Sequence, residues 1–161
     1  NRELQSMLNP ERRRAGGEDE LRFGERVLRR GDRVMQVVNN YDKGVFNGEL
    51  GRIRSVDRKG GKFVVNFDVG DVEYERNEAD QVKLAYAVTI HKSQGSEFPV
   101  VIMPLLTQHY IMLQRNLVYT GMTRAKRLLI MVGTRKALAM AVNNDKPTFR
   151  YTRLAEFLRE M

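Results

Sequence analysis

The chain has 161 residues, of which 42% are hydrophobic and 30% charged, so it is long enough for one ordinary domain with a core. It contains no Cys and no apolar run long enough to cross a bilayer, which excludes disulfides, thiolate metal sites and a membrane-spanning helix. The 28 Lys and Arg against 20 Asp and Glu give a formal charge of +8, which predicts attraction to polyanions such as nucleic acid. A solvated basic surface is the alternative that charge alone leaves open.

The first segments are predicted to be a helix and a loop. Residues 2–8 have helical spacing, and Asn9-Pro10 ends it. Because the chain starts without Met inside this pattern, we expect it to be a piece of a longer protein. Residues 11–20 are rich in Arg, Glu and Gly and are predicted to form a charged loop.

The next segments are predicted to be β-strands. They cover residues 33–38, 50–56, 62–68 and 72–76, and Asn47-Gly48 indicates a hairpin turn. Phe63, Val65 and Phe67 alternate along their strand, so we expect them to share one face. Short, closely spaced strands of this kind indicate a small barrel of the SH3 type.

The second half alternates strand and helix. After a turn or helical segment at residues 77–80, the pattern predicts strands at residues 82–85, 100–104 and 128–132 and helices at residues 87–94, 113–123 and 135–142, with a last helix from Thr152. This alternation predicts a mostly parallel sheet with helices on its faces, in which the apolar strands are buried. The β unit at residues 45–76 is therefore interpreted as an insertion into an α/β domain.

A dense polar motif fills residues 89–98. Side chains three and four apart on a helix share a face, so His91 and Gln94 are expected to point one way and Lys92 another. Gly95 lets the backbone approach a ligand, Glu97 can accept hydrogen bonds from a sugar hydroxyl, and the lysine suits phosphate. For any one of these residues an exposed helix end is the simpler interpretation. The whole motif, followed by an apolar strand, favours ligand binding.

A second motif places an arginine among small residues at 120–125. The guanidinium of Arg124 can therefore approach a phosphate and bind it bidentately. An arginine supplied across an interface in this way stabilises charge in phosphoryl transfer. For Arg124 taken alone, an ordinary helix-end arginine that interacts with the helix dipole is the simpler interpretation.

Both motifs resemble those of a known family. Residues 84–105 resemble motif V, and residues 116–132 resemble motif VI, of superfamily-one DNA helicases. The subgroup they most resemble is the RecD-like helicases, which are close to the Pif1 and Dda types, and residues 85–95 are highly characteristic of it. Residues 31–51 resemble the segment that leads into the inserted SH3-like domain of this subgroup, so the resemblance covers nearly all of the chain.

The resemblance implies an α/β fold. It is the second RecA-like motor lobe, with an incomplete, mostly parallel sheet of the P-loop NTPase type and an inserted small SH3-like β-barrel. The implied division is residues 1–44 for the first part of the lobe, 45–80 for the barrel and 81–161 for the remainder, which holds motifs V and VI.

The resemblance also implies roles toward a nucleotide. Arg124 matches the arginine finger that reaches the γ-phosphate across the interface between the lobes. Gln94 and Gly95 match positions near the γ-phosphate, and Glu97 matches the acid that meets the ribose. Lys92 is a further candidate on this side.

A second group of residues is implied to face single-stranded DNA. Thr89 and His91 match positions that contact the strand backbone, and Ser93 lies beside them. Gln36 and Asn39 are expected along the same track.

The implied function is the C-terminal portion of an ATP-dependent, 5′-to-3′ DNA helicase of a bacterial cytoplasm. No Gly-x-x-x-x-Gly-Lys-Ser/Thr occurs in the sequence, so ATP and Mg²⁺ are expected to be held mainly by a first lobe outside it, and this fragment alone is expected to be inactive. The expected partners are single-stranded DNA, that N-terminal lobe, and recombination or repair proteins, with no membrane.

Two alternatives stay open at this point. One is a non-catalytic module whose barrel docks DNA or a protein through Arg52, Arg54 and Lys62. The other is the motor lobe of a conjugative relaxase-helicase, which only sequence upstream of this chain would separate from a free-standing helicase.

Overall fold

The computed structural model describes residues 1–10, 20–145 and 158–159. The chain divides into two compact units, Asn1–Lys92 and Ser93–Met161. The charged loop predicted at residues 11–20 falls outside the described residues except for its last position, and so does the helix predicted from Thr152. The division into residues 1–44, 45–80 and 81–161 stays a prediction. None of the helices among the described residues has the length and apolar character needed to cross a membrane.

The first unit is built on an antiparallel sheet. It starts with helix α1 (Arg2–Leu8) and a hairpin of β1 (Glu20–Phe23) and β2 (Arg26–Arg29). A five-stranded sheet follows, in the order β6-β5-β4-β3-β7, from strands β3 (Arg33–Gln36), β4 (Leu50–Asp57), β5 (Lys62–Phe67), β6 (Gly70–Tyr74) and β7 (Val82–Leu84). A 3-10 helix, Arg76–Gln81, connects the last two strands. The strands predicted in this half are confirmed, whereas the first hairpin is an addition.

The predicted apolar face of β5 forms the core of this unit. Phe63, Val65 and Phe67 are all buried. The ring of Tyr74 stacks on Phe63, with 5.1 Å between the ring centroids. Removing a large side chain from water in this way stabilises a fold by about 1.5–3 kcal/mol per residue. The alternation of β5 was therefore a reliable signal of which face turns inward.

The hairpin predicted at Asn47-Gly48 is wrong. Strands β3 and β4 do pair, but residues 37–49 lie between them as a long loop closed by its own bridge, Asn40 to Val45. A turn does form at the predicted place, where the Glu49 N–H donates to the Phe46 carbonyl oxygen at 3.1 Å. The turn chemistry was recognised, and Gly48 and Glu49 bond to the backbone of Gln36 at 2.9 Å each, but before the turn Val45 pairs with Asn40 inside the loop.

The second unit contains a parallel strand-helix-strand arrangement. It consists of β8 (Phe98–Leu105), a 3-10 helix (Thr107–Met112), α2 (Arg115–Met122), β9 (Ala125–Gly133) and α3 (Arg135–Asn143). Strands β8 and β9 pair in parallel. The side chain of Thr134 caps α3 by accepting a hydrogen bond from the Ala137 N–H at 3.1 Å. The alternation predicted for these residues is confirmed.

Two expectations for the second half are wrong. The helix predicted at residues 87–94 is only a 3-10 turn, His91–Ser93. The Ala87 carbonyl oxygen, which would accept the first bond of such a helix, accepts instead from Asn1 Nδ2 at 3.0 Å. The apolar strands are not fully buried either. On β8, Met103 is buried while Ile102, which points to the opposite face, is 65% exposed. A parallel sheet is buried only where both faces are covered, and in the described part of this unit one face of β8 is open.

Candidate functional site

The predicted site residues belong to both units. Thr89, His91 and Lys92 close the first unit, and all three side chains are exposed. The remaining motif V residues and Arg124 belong to the second unit. The first unit therefore carries most of the predicted DNA contacts together with Lys92, and the second carries most of the predicted nucleotide contacts together with Ser93.

In the first unit, a firmly held stretch leads into the exposed residues. The Ala85 N–H donates to the Arg33 carbonyl oxygen at 2.8 Å, which continues the sheet beyond β7. The Tyr86 hydroxyl donates to Asp32 Oδ1 at 2.8 Å. Burial, reinforced by this hydrogen bond, raises the pKa of Tyr86 to about 12. Thr89 then turns the chain, because its Oγ1 accepts the Lys92 N–H at 3.3 Å.

Two residues predicted to face nucleic acid are buried. Gln36 is fully buried, and its Oε1 accepts the Tyr74 hydroxyl at 2.9 Å while its Nε2 donates to Gln81 at 3.3 Å. A buried tyrosine hydroxyl needs a partner, and Gln36 provides it. Ser93 is also buried. We correct the prediction on this point, because neither side chain has surface that a strand could contact.

Asn39 remains on the surface of the first unit. Its side chain is exposed, and its Oδ1 accepts the Asn47 N–H at 2.9 Å. This bond anchors the long loop between β3 and β4. Asn39 therefore stays a candidate contact at the edge of that loop.

In the second unit, Arg124 is fixed by three hydrogen bonds. Its Nε donates to the Thr120 carbonyl oxygen, one terminal nitrogen to the Ser96 carbonyl oxygen and the other to Thr123 Oγ1, each at 3.2 Å. The side chain is half-buried. Among the described residues no acidic group forms an ion pair with it. The guanidinium is thus held in place while its charge is left unneutralised.

The loop beside this arginine carries the other predicted nucleotide contacts. Gln94 and Gly95 are exposed, and the glycine has a φ of +81°, a conformation that side-chain-bearing residues adopt only with strain. Glu97 forms an exposed ion pair with Lys126 at 2.9 Å. The hydrogen bond and charge of that lysine lower the pKa of Glu97, and the charge of Arg124 adds to the effect. The second unit therefore brings Gln94, Gly95, Glu97 and Arg124 together around one loop.

The first unit also carries two arginines, on neighbouring strands, that form no ion pair with any of the described residues. Arg33 on β3 lies directly opposite Arg52 on β4, and both are exposed. Like charges in this arrangement destabilise a sheet by about 0.2–1 kcal/mol. In contrast, Arg54 pairs with Asp71, and Lys62 pairs with Glu73 at 2.8 Å. Sequence reasoning included Arg52 but missed Arg33, because the pairing depends on the register between two strands.

Known protein families match both the N-terminal and the C-terminal part of the chain. The sequence profile of the ATP-dependent RecD-like DNA helicase SH3 domain matches residues 1–67, and that of the UvrD-like helicase C-terminal domain matches residues 84–132. The ATP-dependent RecD2 DNA helicase of Deinococcus radiodurans is 37% identical over 159 residues, which cover 99% of this chain and 21% of that protein. The RecBCD enzyme subunit RecD of Haemophilus influenzae is 36% identical over 112 residues, 70% of this chain and 16% of that protein.

Solved structures of Pif1 helicases have a similar fold. One, from a study of two coordinating Pif1 helicases that unwind forked double-stranded DNA, is 25% identical with a TM-score of 0.56 and covers 88% of this chain and 36% of that chain. The Bacteroides Pif1 helicase in complex with ADP-AlF3 and single-stranded DNA is 21% identical with a TM-score of 0.58, over 99% of this chain and 42% of that chain. The fold is that of a RecA-like lobe with an SH3-like domain. The chain spans about a fifth of the length of the curated relatives it matches.

Proposed function

Because this chain belongs to the RecD-like family of superfamily-one DNA helicases, we propose that it is the part of an ATP-dependent DNA helicase that supplies an arginine finger and part of the single-stranded DNA track. The observation that carries the proposal is Arg124, whose guanidinium is held by three hydrogen bonds and has no acidic partner among the described residues. A fixed, unneutralised guanidinium suits a phosphate that a second lobe presents.

The residues around Arg124 fit the phosphates and sugar of a nucleotide. Gln94 is an exposed amide, Gly95 leaves open space where a side chain would stand, and Glu97 already carries a lowered pKa that keeps it an acceptor. ATP would supply the free energy of hydrolysis. Among the described residues no group of three carboxylates or histidines could hold a metal ion, so we propose that Mg²⁺ and most of the nucleotide are held by the other lobe.

The first unit is proposed to contact the single strand. Thr89 and His91 present a hydroxyl and an imidazole to solvent, directly after a held stretch of backbone. Small polar side chains of this kind suit the phosphate and sugar of a nucleic acid backbone, which carry no sequence information. We further propose 5′-to-3′ movement along the strand, in line with the RecD-like subgroup. A helicase of this polarity unwinds a duplex with a 5′ tail and leaves one with a 3′ tail intact.

The test uses the full-length protein of which we propose this chain is a part. Replacement Arg124→Ala should lower the rate of DNA-stimulated ATP hydrolysis by about 10³-fold or more, while affinity for a single strand is retained. The matched control is Arg127→Ala, which removes an exposed arginine three residues away. An equal loss of ATP hydrolysis in both variants, or full activity of Arg124→Ala, would contradict the proposal. Measurable, Arg124-dependent ATP turnover by the isolated 161-residue chain would also contradict it.

A second candidate function is nucleic-acid binding by the barrel without catalysis. It is favoured by the opposed pair Arg33 and Arg52, whose mutual repulsion a phosphate backbone would relieve. Replacement of each by Glu should weaken binding of a labelled oligothymidine strand by this chain and flatten the salt dependence. The control is Arg54→Glu, because Arg54 is already paired with Asp71. An unchanged Kd in the Arg33 and Arg52 variants excludes this candidate.

A further inference from the structure

Helix α1 presents three amide side chains at regular spacing. Asn1 precedes the helix, Gln5 lies in its middle and Asn9 follows it, so that they recur every four residues along one side. All three bond to residues far along the chain. Gln5 donates to the Val27 carbonyl oxygen at 2.9 Å and Asn9 to the Arg30 carbonyl oxygen at 3.1 Å.

The amides converge on one buried carboxylate. Asp32 is fully buried and accepts four hydrogen bonds, two on each oxygen. The donors are Gln5 Nε2 at 2.6 Å, the Arg29 N–H at 2.7 Å, Asn9 Nδ2 at 2.8 Å and the Tyr86 hydroxyl at 2.8 Å. A carboxylate has about four acceptor positions, so these donors fill them. The group is satisfied although no cation of the described residues pairs with it.

A second contact holds the residue after Tyr86. Asn1 Nδ2 donates to the Ala87 carbonyl oxygen at 3.0 Å, and the Ala87 N–H donates to Asn1 Oδ1 at 2.8 Å. One amide thus occupies both backbone groups of Ala87. With Ala85 bonded to the sheet, residues 85–87 are all fixed, and one residue separates them from the exposed Thr89.

We propose that Asp32, Tyr86 and Asn1 are positioning residues, which hold residues 85–87 so that Thr89 and His91 are presented to the single strand in one conformation. The inference rests on the proposed strand contact. A backbone that is already ordered loses less conformational entropy when it binds. The affinity for the strand therefore depends on the hydrogen bonds that fix residues 85–87, even though these three side chains do not touch the strand.

The discriminating experiment compares two Tyr→Phe variants of the same unit. Tyr86→Phe removes the part-buried hydroxyl bond to the Asp32 carboxylate, and Tyr74→Phe removes a buried hydroxyl bond to the neutral amide of Gln36. Both should lower the melting temperature. Only Tyr86→Phe should weaken binding of a labelled oligothymidine strand by the full-length protein, by about tenfold, since a hydrogen bond to a charged group is worth roughly that factor in an equilibrium constant.

A second measurement localises the effect in this chain. Hydrogen exchange of the Ala87 amide, which donates to Asn1, should speed up in Tyr86→Phe and stay unchanged in Tyr74→Phe. The Val65 amide in the core strand β5 should exchange faster only by the smaller factor that the lowered global stability sets. Equal acceleration of the two amides in Tyr86→Phe would indicate a general loss of stability alone and would overturn the positioning role.

The strand contact itself is tested by Thr89→Ala combined with His91→Ala. If this double variant weakens binding and Tyr86→Phe does not, the positioning role is wrong while the proposed strand contact stands. If neither change alters the Kd, both fail. Equal weakening by Tyr86→Phe and Tyr74→Phe would likewise contradict the positioning role.

Discussion

The two units differ in how far each completes its own core. In the first, a cluster of mutually packed buried hydrophobic residues extends from Leu21 to Val82. In the second, β8 and β9 leave apolar side chains such as Ile102 and Val132 more than half exposed. An antiparallel sheet can bury one face on its own, whereas a parallel sheet requires cover on both. Among the described residues, the first unit thus covers its own core, whereas the second leaves apolar side chains of its parallel strands exposed.

The polar groups follow the same division. Among the described residues no buried side-chain nitrogen or oxygen lacks a hydrogen-bond partner. In the first unit the buried acid Asp32 has all its acceptor positions filled. In the second unit Arg124, the proposed arginine finger, is hydrogen-bonded only to neutral groups of the described residues.

The largest expected effect tests the difference in cores directly. Phe63→Ala should lower the free energy of unfolding of the first unit by about 3–5 kcal/mol, because it empties a fully buried site. Ile102→Ala in the second unit should cost less than about 1 kcal/mol, because most of that side chain is already in water. Urea unfolding monitored by hydrogen exchange of each unit measures both. If Ile102→Ala lowered the free energy of unfolding as much as Phe63→Ala, the proposed difference between the two cores would be wrong.

A smaller effect tests how closely the two parallel strands approach. A Cβ at Gly133 would fall on the carbonyl oxygen of Leu105, with the carbonyl carbon 2.7 Å away. Since rigid backbone must shift, Gly133→Ala should cost roughly 1–3 kcal/mol or more and should speed hydrogen exchange in β8 and β9 alone. Gly95→Ala is the control, because it introduces a strained φ but meets no atom within 4 Å. Equal costs for the two variants would contradict the close approach.

Local patterns in the sequence predicted the strands of the first unit and their inward face. The alternation of Phe63, Val65 and Phe67 needs no knowledge of distant residues. The hairpin of β1 and β2 was not predicted from the sequence, because each strand carries a single deeply buried residue, Leu21 or Leu28, among charged ones. Such segments look like solvated loop in the sequence alone.

The errors at the site have a common cause in long-range packing. Gln36 is buried because Tyr74, 38 residues away, needs its amide as a partner. The helix expected at residues 87–94 is absent, and the Ala87 carbonyl oxygen that would begin it accepts a hydrogen bond from Asn1, 86 residues away. Arg124 and Glu97 were assigned to the nucleotide through the resemblance that their short motifs carry, and those roles stay predictions. Hydrogen-bond partners that are distant in sequence meet only in the folded chain, so the periodicity of the sequence does not predict them.

The smallest expected effect is a loss of stability of the first unit at alkaline pH, where the Tyr86–Asp32 bond is broken. Burial and the bond to Asp32 raise the pKa of Tyr86 to about 12, above the ordinary tyrosine pKa of about 10. The folded state therefore holds this proton more tightly than the unfolded state. The resulting stability is fully present below about pH 10 and is lost as the pH rises toward 12. Urea unfolding of the first unit at increasing pH should show this decline, and Tyr86→Phe should reduce it. An identical decline in the variant would mean that Tyr86 does not contribute, and that the hold on residues 85–87 is weaker than the hydrogen bonds indicate.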